Sequence, residues 1–243
     1  MQAQNIALVT GANRGIGYGV ARKLAREYPD YHVIIGSRDA KQGAQAASSL
    51  ASEGLSVSSM ELDVTSDTSI IAARDVVQLQ YGRLDVLINN AGIALDVKEQ
   101  GLPIRILMQR TFDVNVFGAA AVTDAFIPLL EKSSNPRIVF TSSMIGSLTQ
   151  ASDFSSPWSK APIPAYRTSK SALNMLMLYY AATLRDKDFK VNASCPGYIG
   201  TNLNDNRGTG TIEDGAVNLV RLATLGKEGE TGTFSTAEGI KPW

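Results

Sequence analysis

Apolar, largely β-branched runs at residues 6–9, 33–35, 86–88, 138–140 and 191–193 alternate with longer amphipathic stretches at 20–28, 40–50, 69–81, 107–131 and 165–186. A run that is apolar at every position suits a central strand covered on both faces, whereas the longer stretches suit helices that bury one stripe. The regular alternation predicts an α/β fold, a doubly wound parallel sheet of the Rossmann type. Right-handed crossovers in such a sheet bring the C-terminal ends of the strands to one edge, where ligands collect. No linker or composition break divides the chain, so residues 1–243 are read as a single domain.

Two stretches interrupt the pattern. Residues 147–164 hold Pro157, Pro162 and Pro164, and residues 200–215 are rich in Gly, Asn, Thr and Asp. Both read as loops by composition. They are expected either to overhang one cleft as substrate walls or a lid, or to be plain solvated connections.

Charge removes several partners. With 23 basic and 23 acidic residues the chain offers no bulk electrostatic reason to bind nucleic acid or an anionic membrane. Cys195 is the only cysteine and cannot form an internal disulfide, which fits a cytoplasmic setting. No apolar run reaches the roughly 18 residues of a membrane span, and residues 1–5 lack the basic region and apolar core of a signal peptide. Cys195 and the lone His32 have no partners with which to hold a metal, so no metal is expected.

The first apolar run leads into Thr10-Gly11-Ala12-Asn13-Arg14-Gly15-Ile16-Gly17. Glycines in a strand-to-helix turn let the main chain approach a pyrophosphate, and the helix N-terminus adds free N–H groups and a positive dipole end. A free ribose 2′-hydroxyl usually meets an acidic side chain after the second strand, whereas a 2′-phosphate needs a cation. Here Ser37 takes the acidic position and Arg38 follows, while Arg14 lies inside the glycine turn. Two guanidiniums near a doubly charged phosphate favour NADP(H). Asp39 is one residue too far on for confident ribose contact and could equally cap the next helix.

Taken together, the residues resemble the short-chain dehydrogenase/reductase family over nearly the whole chain. The resemblance rests on the glycine turn, Asp63-Val64, Asn89-Asn90-Ala91-Gly92, Asn115 in Asp113-Val114-Asn115-Val116, Ser142-Ser143, Tyr166-x-x-x-Lys170 and Pro196-Gly197-Tyr198-Ile199-Gly200-Thr201. Within the family, Arg14 with Arg38 and the C-terminal segment look most like the NADPH-dependent carbonyl reductases. Only 23 positions run from Ser143 to Tyr166, too few for the extra helical insertion of the longer monomeric members. By resemblance, a homodimer or homotetramer is implied, with a specificity loop containing Phe154 and Trp158.

Positions four apart share one helix face, so Tyr166 and Lys170 are expected to point into one cleft. A tyrosine with an ordinary pKa near 10 exchanges protons poorly at neutral pH, and the Lys170 ammonium is expected to lower that pKa. Tyr166 then serves as general acid toward a ketone or aldehyde and as general base toward the alcohol. The resemblance gives Lys170 a second task on the nicotinamide ribose, makes Ser143 rather than Ser142 the donor to the substrate oxygen, and has Asn115 hold a water near Lys170. It also puts Asn89, Ala91 and Gly92 near the adenosine ribose, a purely structural role for Asn89 remaining open, and Asp63 and Val64 near the adenine. After Pro196 and Gly197, Ile199 and Thr201 would meet the nicotinamide carboxamide and phosphate, and Tyr198 could border the substrate. An epimerase or dehydratase using the same groups, or a dinucleotide sensor without catalysis, are the alternatives to a reductase of a small-molecule carbonyl compound.

Overall fold

The computed structural model describes residues 4–99, 101–156 and 158–243; the readings of Pro157 and of residues 1–3 lie outside them. Eight strands form one sheet: β1 (Asn5–Thr10), β2 (Tyr31–Ser37), β3 (Val57–Glu61), β4 (Val86–Asn89), β5 (Arg137–Thr141), β6 (Lys190–Ser194), β7 (Phe234–Thr236) and β8 (Gly239–Ile240). Their order is β3-β2-β1-β4-β5-β6-β7-β8, parallel throughout except for β8, which returns antiparallel along β7. The helices are α1 (Gly15–Glu27), α2 (Ala40–Ser52), α3 (Asp67–Tyr81), α4 (Leu95–Lys98), α5 (Ile104–Phe112), α6 (Ala119–Leu130), α7 (Leu148–Ser152), α8 (Pro164–Thr183) and α9 (Ile212–Ala223).

Strand alternation sorts the core into two layers. In β5, Ile138 and Phe140 pack with Val77, Phe126 and Met177 under α3, α6 and α8, while Val139 packs with Leu24, Leu50 and Leu219 under α1, α2 and α9. That two-sided demand explains the apolar stretches at 6–9, 33–35, 86–88 and 138–140, whereas β6 carries the buried Asn192, whose side chain bonds the Glu230 carbonyl and Thr233. The edge strand β3 reads Val-Ser-Ser-Met-Glu and is only partly buried, so no apolar run marks it in the sequence. Chain order reverses between β2-β1 and β4-β5, opening a crevice at the C-terminal ends of β1 and β4.

The helix expected over 107–131 is longer and interrupted. It starts at Ile104, and Asp113–Gly118 forms a π-helical segment between α5 and α6. By length and composition residues 104–130 could cross a membrane, contrary to the run-length reading, but Val122, Phe126, Leu129 and Leu130 pack in the core beneath the sheet. The loop readings also need trimming: α7 lies within 147–164, and α9 begins at Ile212, inside 200–215.

Candidate active site

A cavity of about 1030 Å³ lies over the C-terminal ends of β1, β4 and β5. At one end, Gly11, Asn13, Arg14, Gly15, Ile16 and Gly17 form its wall. Gly15 opens α1 at φ +58°, a left-handed conformation that a side chain would strain. Arg14, the residue before it, places no side-chain cap on the helix, so the first-turn N–H groups remain for an anion. This uncapped N-terminus is the feature that fits a pyrophosphate.

Ser37 and Arg38 border the same end. The Asp39 carboxylate accepts from the Gln42 N–H at 3.0 Å and caps α2, and the Ser37 hydroxyl donates to the Asp39 carbonyl at 2.8 Å. The acidic residue is therefore spent on the helix. Among the described residues, Arg14 and Arg38 pair with no carboxylate. Both are exposed on the rim.

Asp63, Val64, Ala91 and Gly92 also line the cavity. Asp63 holds its turn by accepting from the Thr65 N–H and hydroxyl at 3.0 and 2.8 Å. Asn89 is not in the cavity wall: its amide donates to the Thr123 hydroxyl at 2.9 Å and ties β4 to α6, the structural role left open above. Its neighbour Asn90 faces the turn instead, donating to the Thr10 and Gly11 carbonyls at 2.9 and 3.2 Å. Strand alternation decides the difference. Pro196, Gly197, Ile199 and Thr201 close the opposite wall.

At the other end Ser143, Tyr166 and Lys170 converge. Ser142 turns away, donating to Asn174 Oδ1 in α8 at 2.5 Å, which leaves Ser143 facing the cavity. Ser143 lines the cavity beside Tyr166 and acts to lower the phenol pKa. Lys170 Nζ donates to the Thr141 carbonyl at 2.7 Å and stands 5.5 Å from the centre of the Tyr166 ring. The ammonium thus sits over the ring and is engaged with the backbone, so it does not depress the phenol as expected from the sequence. Burial dominates and pushes the Tyr166 pKa well up, with Ser143 pulling it back only in part. Burial also brings Lys170 down to about 8, because a desolvated ammonium gives up its proton more easily.

Asn115 sits in the π-helical segment, a distortion often found at functional positions. Its Oδ1 accepts from the Ile93 N–H at 2.8 Å, and its amide donates to the Ile93 carbonyl and the Ser169 hydroxyl at 2.9 and 3.0 Å. A Cβ at Gly92 would lie in ordinary contact with both Asn115 Oδ1 (3.4 Å) and Lys170 Nζ (3.6 Å), so Gly92 stands between these two groups.

Asp96 was not legible in the sequence. Pro164 has no N–H and Ile163 offers no side-chain cap to α8; from α4, Asp96 accepts from the Ala165 and Tyr166 N–H groups at 3.2 and 2.7 Å. A carboxylate from elsewhere in the chain thus caps the helix that carries Tyr166 and Lys170. Nothing local to α8 signals it. The substrate-side wall carries Trp158 and Tyr198, ring centres 6.5 Å apart, whereas Phe154 is 82% exposed and outside the wall. Two further cavity-lining cations, Lys98 and Arg207, both pair with Asp205.

A doubly wound sheet with an uncapped helix at its switch point and a Ser–Tyr–Lys cluster beside it defines a dinucleotide-type oxidoreductase site. Residues 5–211 match the short chain dehydrogenase family, and the chain belongs to that family. It is 40% identical over 253 residues to a short-chain dehydrogenase/reductase of Stachybotrys chlorohalonatus, covering 98% of this chain and 90% of the relative. It is 31% identical to the NADPH carbonyl reductase 1 of Rattus norvegicus, covering 98% of each. The NADPH-bound carbonyl reductase from chicken fatty liver superposes with a TM-score of 0.86 at 29% identity, over all of both chains. The chain resembles the carbonyl reductase branch.

Proposed function

We propose that this chain is an NADPH-dependent reductase that converts a small-molecule ketone or aldehyde to the alcohol, and runs in reverse as an alcohol dehydrogenase. The observation that carries this reading is the convergence of Ser143, Tyr166 and Lys170 at one end of a cavity whose other end offers an uncapped helix N-terminus and two exposed arginines, Arg14 and Arg38. The glycine turn would hold the pyrophosphate, Arg14 and Arg38 the 2′-phosphate, Asp63 and Val64 the adenine, and Ile199 and Thr201 the nicotinamide side. The NADPH named for the relatives agrees with that charge pattern. When bound, this cofactor supplies the hydride.

The raised phenol pKa keeps Tyr166 in its proton-donating form at neutral pH. Tyr166 gives its proton to the carbonyl oxygen, and Ser143 donates a hydrogen bond to that oxygen as charge develops there. Lys170 holds the nicotinamide ribose, and Asn115 keeps a water near Lys170, so protons return from solvent. The segments 147–164 and 200–211 form the substrate walls, Trp158 and Tyr198 bordering the substrate. The enzyme works in the cytoplasm as a homodimer or homotetramer, the exposed Phe117, Met175 and Tyr179 being available for self-association.

The test follows NADPH and NADH absorbance over a panel of carbonyl compounds with the parent protein and Tyr166→Phe. The parent is expected to oxidise NADPH with at least one compound, and Tyr166→Phe to lose about 10³-fold in kcat while keeping its NADPH affinity. Unchanged turnover in Tyr166→Phe would sink the reading. Binding of NADPH without turnover across the panel would point to a sensor.

A further inference from the structure

Next to Tyr166 lies a charged side chain that neither lines the cavity nor pairs with an acid. Arg167 donates from Nε to the Ile145 carbonyl at 3.2 Å and from Nη1 to the Ser159 carbonyl at 2.8 Å. Among the described residues no carboxylate lies within ion-pair distance of it. One helical turn further on, the Ser171 hydroxyl donates to the Gly146 carbonyl at 2.7 Å. Both residues lie on one face of α8 and grip the short turn Met144–Gly146 that follows Ser143.

The turn can approach because residue 146 is glycine: a Cβ there would stand 2.7 Å from the Lys170 Cβ and 2.9 Å from the Lys170 carbonyl carbon. The two carbonyls held by Arg167 lie at opposite ends of segment 145–159. Ile145 is two residues beyond Ser143, and Ser159 directly follows the wall residue Trp158. A planar guanidinium presents several donors in a fixed fork, and a charged donor holds a carbonyl more tightly than a neutral one. A single side chain therefore ties the hydroxyl donor at one end of the segment and the substrate wall at the other to the helix that carries the acid.

We infer that Arg167 is a positioning residue for carbonyl reduction: with Ser171 and Gly146 it clamps segment 145–159 to α8 and so sets the Ser143 hydroxyl against the Tyr166 phenol. The inference rests on the reductase reading above. It assigns Arg167 no contact with substrate or cofactor, since its donors face the loop backbone.

The test is a double-mutant cycle in the full-length, NADPH-loaded protein, using the carbonyl compound turned over best. Arg167→Ala is expected to lower kcat about tenfold to a hundredfold, as a misplaced reacting group does, with NADPH affinity held within about twofold. If Arg167 acts through Ser143, the further loss on adding Arg167→Ala to Ser143→Ala falls below about twofold. Millimolar methylguanidine is expected to restore part of the Arg167→Ala activity. Should Arg167→Ala fail to fold, Arg167→Lys keeps the charge but reaches only one carbonyl, and Ser171→Ala removes only the Gly146 grip; each is expected to show a smaller loss with the same coupling to Ser143.

A readout free of turnover is amide hydrogen exchange, expected to speed up across 145–159 in Arg167→Ala and to stay unchanged in β1. Additive losses in the cycle, or unchanged exchange in the segment, overturn the clamp. Turnover retained by Tyr166→Phe overturns the reductase reading instead, and the exchange experiment still decides the clamp.

Discussion

The two ends of the cavity are built by different means. At the glycine-turn end the main features arise within strand–turn–helix steps, β1 running into the glycine turn and α1, and β2 into Ser37, Arg38 and the Asp39 cap of α2, with Asn90 from the end of β4 holding the turn in place. At the substrate end the decisive bonds join remote segments. Asp96 reaches the Tyr166 N–H across 70 positions, and Asn115 reaches Ser169 across 54. The glycine-turn end is thus built largely from local steps, whereas the Ser143–Tyr166–Lys170 end depends on several elements meeting.

The comparison can be broken first at the chemistry. Tyr166→Phe carries the largest expected effect, and Ser143→Ala should follow with a kcat loss of about 10²-fold, the cost of removing one donor to a developing oxyanion. Steady-state kinetics with NADPH affinity measured in parallel would show whether the damage stays at the substrate end. Equal losses of NADPH affinity would erase the distinction between the two ends.

At the cofactor end, Arg38→Asp is expected to weaken NADPH by about 10²-fold while sparing NADH, because a carboxylate repels the 2′-phosphate and suits the free hydroxyl. Fluorescence titration with both cofactors measures it. Equal losses for both would remove the phosphate role from Arg38.

The pH dependence sharpens the acid–base half. With Lys170 at about 8 and the phenol raised well above its ordinary value, the group that titrates first on the alkaline side is the ammonium. The kcat/KM for NADPH should be level below pH 8 and fall about tenfold per unit above it, the apparent value belonging to the Tyr–Lys pair. Lys170→Arg should shift that limb upward, since a guanidinium keeps its proton. A level profile through pH 10 would contradict the buried-ammonium account.

The smallest effect concerns stability. Asp96→Ala removes the cap of α8 and is expected to cost about 1 kcal/mol, seen as a lower midpoint in urea denaturation. Asp39→Ala removes the local cap of α2 and should cost about the same. Only Asp96→Ala should also lower kcat, because only its helix presents the acid.

Much of this architecture is visible in the chain. Strands buried on both faces carry runs of apolar residues, so β1, β2, β4, β5 and, despite its buried Asn192, β6 announce themselves, while the partly buried β3 does not. The glycine turn and the Tyr166–Lys170 spacing are legible because a helix N-terminus and an i, i+4 face are local geometry. The single helix over 107–131 misses the π-helical segment, since apolar periodicity alone does not register one inserted residue where Asn115 turns to Ile93 and Ser169.

By itself the sequence determined the doubly wound sheet, the glycine turn that opens the first helix and the candidate groups for proton chemistry, all consequences of residue periods and side-chain types along short stretches. Tertiary packing alone decided that Asn89 turns to Thr123, that Asp96 caps the helix bearing Tyr166 and that Arg167 grips the loop beside Ser143. It also decided the acid–base balance: whether Lys170 lowers the phenol pKa depends on distance, backbone partners and lost water, and those exist only once the chain has closed around them.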